Sequence, residues 1–126
     1  MGLAEQRTIA KIGSAPFEIM DGQGPRPSNT WWHNISFDSE TGKGSYFMIM
    51  PPGSRSEPHT HLGREEFFVL EGELVDVDGQ VYVSGDFVSL DAGSSHGVIS
   101  SSGCKLIVTH HGATQALTPL AWEAMQ

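Results

Sequence analysis

His59 and His61 stand two residues apart in the stretch Gly53 to Gly72, which reads G-SRSEP-H-T-H-LGR-E-EFFVLE-G. In an extended run, residues i and i+2 project to the same face, so the two imidazoles point the same way. Glu65 follows four residues later, just ahead of the apolar run Phe67-Phe68-Val69-Leu70. A further histidine, His96, comes downstream in its own turn-and-strand setting. Three imidazoles and a carboxylate converging on one point would form a donor set for a divalent transition metal.

Such convergence needs strands, and the sequence reads as a succession of them. Arg7 to Ile12 and Phe17 to Met20 are short candidates, separated by a turn-rich loop, Asp21 to Asn29, from a strand at Trp31 to Phe37. Ser45 to Met50 is strongly apolar and ends at Pro51-Pro52-Gly53. Glu65 to Val77 alternates, with Glu71-Gly72 read as a turn between two strands. The alternation places Glu65, Phe67 and Val69 on the inner face, and Glu66, Phe68 and Leu70 on the other. Val75 to Val83 signals a hairpin, with Asp78-Gly79 suited to a two-residue type I′ turn. Gly85 to Leu90, His96 to Ser100 and Lys105 to His111 complete the strands. Leu117 to Gln126 reads as a short helical tail with Thr118 as its N-cap.

About ten short strands broken by turns mean an all-β antiparallel sandwich or barrel. The 126 residues form one domain, 1–126, with 15 Gly and 7 Pro as punctuation. The net charge of −8 and the lack of a basic cluster argue against nucleic acid or an anionic membrane as partner. The single cysteine, Cys104, excludes an intrachain disulfide and a cysteine-based zinc site. No apolar run reaches membrane-spanning length and the N-terminus has no signal-like h-region, so the expectation is a cytoplasmic protein.

The spacings carry a resemblance. Gly53-x5-His59-x-His61-x3-Glu65-x6-Gly72 (residues 53–72) resembles the first motif of the cupin superfamily at every defined position. Gly85-x5-Asp91-x-Gly93-x2-His96-x3-Ser100 (residues 85–100) resembles the second, with Asp91 in place of the usual proline and Ser100 in place of asparagine. Neither departure touches a ligand position. The resemblance implies a double-stranded β-helix, the cupin jelly-roll barrel, with one metal ion (Fe, Mn, Ni, Zn or Cu) held by His59, His61, Glu65 and His96. It also implies a homodimer. The runs Glu65 to Leu74, Gly85 to Val88, Gly93 to His96 and Gly103 to Val108 are similar to the cupin domain of ChrR-type anti-sigma factors. They are also similar to stand-alone cupins related to small dioxygenases of diketones and hydroxyaryl ketones. The anti-sigma role is not implied, because it requires a separate N-terminal helical zinc domain.

Other residues are pocket candidates. One of Trp31 and Trp32 faces inward, as does at most one of His110 and His111; Trp31 and His111 are carried as candidates. Phe47 and Met48 would wall an apolar pocket, and Tyr46 would supply a proton donor. Arg55 and Arg64 flank the histidines and would hold a substrate carboxylate or enolate. The leading expectation is a metal-dependent oxidoreductase of dioxygenase type acting on a small oxygen-chelating molecule. The alternatives are a non-catalytic metal- or ligand-binding sensor and a metal-dependent isomerase or lyase.

Overall fold

The computed structural model of the chain describes residues 2–14, 16–20, 27–28 and 30–118. It is almost entirely antiparallel β-structure. Thirteen strands appear among the described residues: β1 (Glu18–Ile19), β2 (Pro27–Ser28), β3 (Trp31–Asn34), β4 (Lys43–Met50), β5 (Ser54–Ser56), β6 (His59–His61), β7 (Glu65–Asp76), β8 (Val81–Val83), β9 (Phe87–Leu90), β10 (Ser95–His96), β11 (Val98–Ser100), β12 (Cys104–His111) and β13 (Thr114–Ala116). A long sheet runs β1-β3-β4-β12-β7-β11-β5-β2, with β8 and β9 also pairing with β7. A small sheet, β10-β6-β13, carries two of the candidate histidines on its central strand. No described helix is long and apolar enough to cross a membrane.

The sheet curls because β7 bends. Its first half, Glu65 to Phe68, pairs with β9, and its second half, Glu73 to Val75, pairs with β8. Against β12 the register slips between Lys105 and Leu106, so that Val69 faces Leu106 while Glu71 faces Lys105. The extra residue is a β-bulge, which increases local twist and lets one strand serve two walls. Glu71-Gly72 is therefore a bulge within a continuous strand, not the turn that its composition suggests. Gly72 has φ +85°, and a Cβ there would lie 2.1 Å from the Gly103 carbonyl oxygen. Backbone sits on both sides of that contact, so neither partner has a flexible end that can yield. Gly72→Ala is expected to lower stability by more than about 2 kcal/mol, read as a lower urea midpoint. An unchanged midpoint would count against this bulge geometry.

Other elements depart from the sequence reading. Arg7 to Ile12 is not a strand; a 3-10 helix, Leu3–Gln6, precedes an irregular segment in which Ile9 is exposed and pairs with no sheet edge. Trp31 to Phe37 stops pairing at Asn34, whose side chain bonds the Phe37 backbone and turns the chain. The hairpin after β7 has a three-residue loop rather than two: Val75 pairs with Val81, Gly79 donates to the Asp76 carbonyl and Asp76 to that of Gln80. Gly79, at φ +89°, takes the left-handed position of that turn. His96 to Ser100 is broken at Gly97, where the backbone of Pro58 and the Ser56 carbonyl come close. The helical reading of the tail lies outside the described residues from position 119 onward, as does most of the Asp21–Asn29 loop. β13 was not anticipated; it is short and polar and closes the small sheet against β6.

The core lies inside the curl. Trp32, Tyr46, Met48, Phe67, Val69, Leu74, Leu106 and Val108 pack together, with Met20 from the N-terminal segment. Strands β7 and β12 alternate buried and exposed positions, as half-buried strands must.

Candidate metal centre

The barrel mouth gathers the four candidate donors. His59 and His61 are the two buried positions of β6, while Thr60 between them points elsewhere. His96 on β10 lies directly opposite His59 in the ladder. Glu65 opens β7 with its side chain on the same inner face as Phe67 and Val69. All four are at most 5% exposed. One donor atom from each can be chosen so that all lie within 4.8 Å of one another.

The hydrogen bonds fix which nitrogens look inward. His59 Nδ1 lies 2.7 Å from the Glu57 carbonyl oxygen, and His96 Nδ1 lies 2.8 Å from Asp76 Oδ2. Both partners can only accept, so both Nδ1 atoms carry protons. His61 Nδ1 lies 3.0 Å from Ser94 Oγ, whose own proton is donated to the Asp91 carbonyl at 2.6 Å. The serine oxygen is thus left to accept from His61. Each imidazole is anchored through Nδ1 and turns Nε2 to the centre, which is the arrangement that orients metal-ligating histidines.

The inward atoms crowd one another. His59 Nε2 and His61 Nε2 are 3.1 Å apart, His61 Nε2 is 3.1 Å from Glu65 Oε2, and His96 Nε2 is 3.5 Å from Glu65 Oε1. Lone pairs at such distances repel unless a proton or cation lies between them. Burial opposes a charged Glu65, but hydrogen bonds from His61 and His96 and the neighbouring His110 and His96 hold its carboxyl well below the usual range. His96 responds in the opposite sense: burial disfavours its cation, yet bonds to Asp76 and Glu65 raise its pKa to about 9. His59 is lowered to about 4, chiefly by burial. Three nitrogen donors and one anionic oxygen, buried and pre-oriented, fit a divalent transition ion.

The remaining candidates divide. Tyr46 and Met48 face the cavity next to the donors. The Tyr46 hydroxyl lies 2.9 Å from His110 Nε2, and His110 Nδ1 lies 3.4 Å from Glu65 Oε2. With Glu65 anionic, Nδ1–H faces the carboxylate and Nε2 accepts from the tyrosine. Phe47 points to the opposite face, where it meets Phe17 edge-on at 5.1 Å. Trp31 is 40% exposed, whereas Trp32 is the inward tryptophan. His111 faces outward, 3.4 Å from Glu66. Arg55 and Arg64 sit on the rim, paired with Glu57 at 3.2 Å and with Asp91 at 2.8 Å. Side-chain alternation explains the outward placement of Trp31, Phe47, Arg55 and His111 on their strands; Arg64 lies in the loop between β6 and β7.

Of the other residues of the site, the sequence reading left His110 undecided against His111 and carried His111 as the candidate, and it missed Asp76. His110 shares the inward parity of Leu106 and Val108, so the period-two pattern of β12 carried its signal. Asp76 had no such signal, because the β7 bulge reverses the parity before it. The cavity, about 30 Å³, is otherwise walled by Met20, Phe67, Leu74, Val98, Leu106 and Val108.

Comparison with known proteins matches this arrangement to a family. The profile described as ChrR Cupin-like domain matches residues 19–115. The chain belongs to that family. Among curated proteins none matches it. Solved cupin structures resemble it in fold. An acetylacetone dioxygenase from Acinetobacter johnsonii is 17% identical, with TM-score 0.69 over 82% of this chain and 78% of the other. The polyketide cyclase RemF from Streptomyces resistomycificus is 19% identical, with TM-score 0.70 over 95% and 93%. The complex of Rhodobacter sphaeroides SigE with the anti-sigma ChrR gives 16% identity and TM-score 0.62 over 79% of this cupin and 51% of the matched chain. At these identities the likeness is one of fold, and fold alone does not choose a chemistry.

Proposed function

We propose that this cupin holds one divalent transition metal through His59, His61, Glu65 and His96 and acts as an oxidoreductase of dioxygenase type on a small oxygen-chelating organic molecule. The observation that carries the reading is the set of four buried donors with every imidazole anchored at Nδ1. When bound, the ion would supply Lewis-acid and redox chemistry toward oxygen. The residues do the rest. The apolar walls keep water from the reacting atoms, and the Tyr46–His110 pair holds one oxygen of Glu65 in place. The acetylacetone dioxygenase shares this fold, so the fold is compatible with that chemistry. Ile19 and Trp31, opposite each other on β1 and β3 and both exposed, support the expected homodimer.

The test begins with metal content of freshly purified protein, then anaerobic Fe(II) loading and oxygen uptake with small diketones. About one ion per chain and substrate-dependent uptake are expected. Loaded protein that consumes no oxygen across a broad panel would overturn the catalytic reading. A second reading, a non-catalytic sensor, draws on the small volume of the cavity, which leaves little room for an organic substrate. It predicts an ion released only on unfolding.

A further inference from the structure

The charges around the donors do not balance. Glu65 is one buried anion. Asp76 is a second: it is 6% exposed, its Oδ2 accepts from His96 Nδ1 and from the Tyr82 hydroxyl, each at 2.8 Å, and its Oδ1 accepts from the Val77 amide at 2.8 Å. Among the described residues no permanent cation faces them: the cavity lining contains no Lys or Arg, and the two arginines that flank the histidines in sequence, Arg55 and Arg64, pair with Glu57 and Asp91.

A divalent ion cancels both carboxylates and leaves the buried site neutral once the histidines are neutral. A ligand carrying its own negative charge would then add an uncompensated anion to an apolar enclosure, and burying an unpaired charge is costly. An uncharged ligand brings no such penalty. We infer that the site selects uncharged oxygen-chelating ligands and rejects carboxylates such as 2-oxo acids and dicarboxylates. The inference rests on the reading that the four donors hold a divalent ion with an open position. The apolar wall next to the donors takes the ligand's hydrocarbon part, and the small cavity favours short substituents.

The test uses cobalt(II)-loaded protein, whose visible absorption reports on what joins the ion. Pyruvamide and pyruvate are close in shape and differ in charge. Pyruvamide is expected to bind at least tenfold more tightly than pyruvate. Asp76→Asn, which removes one of the two anions, is expected to raise the affinity for pyruvate relative to pyruvamide at least tenfold, read as a ratio within the metal-loaded variant so that any change in its hold on the metal cancels. If that variant loses its metal, Ser56→Lys serves instead, because Ser56 also lines the cavity, so the lysine places a cation there and is expected to rescue pyruvate in the same way. Pyruvate binding as tightly as pyruvamide in the parent overturns the charge selection while leaving the metal centre standing. Affinities that ignore both substitutions do the same. Silence of the absorption bands toward both ligands, with the metal in place, overturns the open position and the selection with it. Protein that takes up no cobalt refutes the proposed metal centre itself.

Discussion

His61→Ala protein is expected to carry less than a tenth of the parent's metal after identical purification, and His111→Ala to carry the full amount. The two histidines differ in geometry rather than in chemistry. His61 is fully buried, anchored at Nδ1 by Ser94, and presents Nε2 to Glu65 at 3.1 Å. His111 is largely exposed on the outward face of β12, beside Glu66. Losing an outer partner of a metal ligand typically weakens binding by about 10–100-fold, and losing a ligand outright costs more. His61→Ala is therefore expected to lower affinity by more than about 100-fold in a chelator competition. Circular dichroism should show both variants folded, since the core packing of β7 and β12 is untouched. A folded His61→Ala protein with parental affinity would remove His61 from the donor set. A matching loss in His111→Ala would place the ion elsewhere.

Much of this site was legible in the sequence, and the reasons are local. His59 and His61 share a face because strand geometry leaves no other choice. Glu65 rather than Glu66 faces them because the run Glu65 to Leu70 keeps its parity, buried at Glu65, Phe67 and Val69. That rule then failed within the same strand. Past Val69 the buried positions are Leu74 and Asp76, an even series where the earlier one was odd. The bulge between them inserts one residue, and a one-residue slip moves every later side chain to the other face. Continuing the alternation of Glu65 to Leu70 would turn Asp76 outward, although it lies under His96. Trp31, Phe47 and His111 were harder for another reason. Each has an equally suitable neighbour, and the choice depends on where pairing begins, which only the partner strands decide. Trp31 pairs with Ile49 and Phe47 with Ile107, so both belong to the outer layer. The N-terminal segment shows the limit of propensity, since Arg7 to Ile12 has the composition of a strand but finds no edge to join.

Metal uptake is expected to release about one proton per ion at pH 7, and affinity to rise about tenfold per pH unit up to roughly pH 9. The proton is that of His96. Without metal, Asp76 and Glu65 outweigh its burial and hold its pKa at about 9, so at pH 7 it is a cation bonded at both nitrogens. Ligation needs its Nε2 lone pair, and that proton must leave. His59, lowered to about 4, is already neutral and contributes no proton in this range. The same shift governs stability of the metal-free chain. His96 has a folded value above its unfolded one of about 6.5, so its contribution is fully present below pH 6.5 and is lost as pH rises through about 9. The shift corresponds to about 3 kcal/mol. His59 works in the other direction: its folded value lies below its unfolded one, so stability falls as pH drops from 6.5 toward 4. In loaded protein His96 is neutral throughout the upper window, and the loss between pH 6.5 and 9 is expected to vanish. Zinc titrations in two buffers of different ionisation enthalpy would count the released proton, and urea midpoints at pH 6.5 and 9 would compare the two forms. Uptake with no proton released at pH 7 would mean that His96 is neutral beforehand. The Asp76–His96–Glu65 chain would then not be the charge arrangement that prepares the site for its ion.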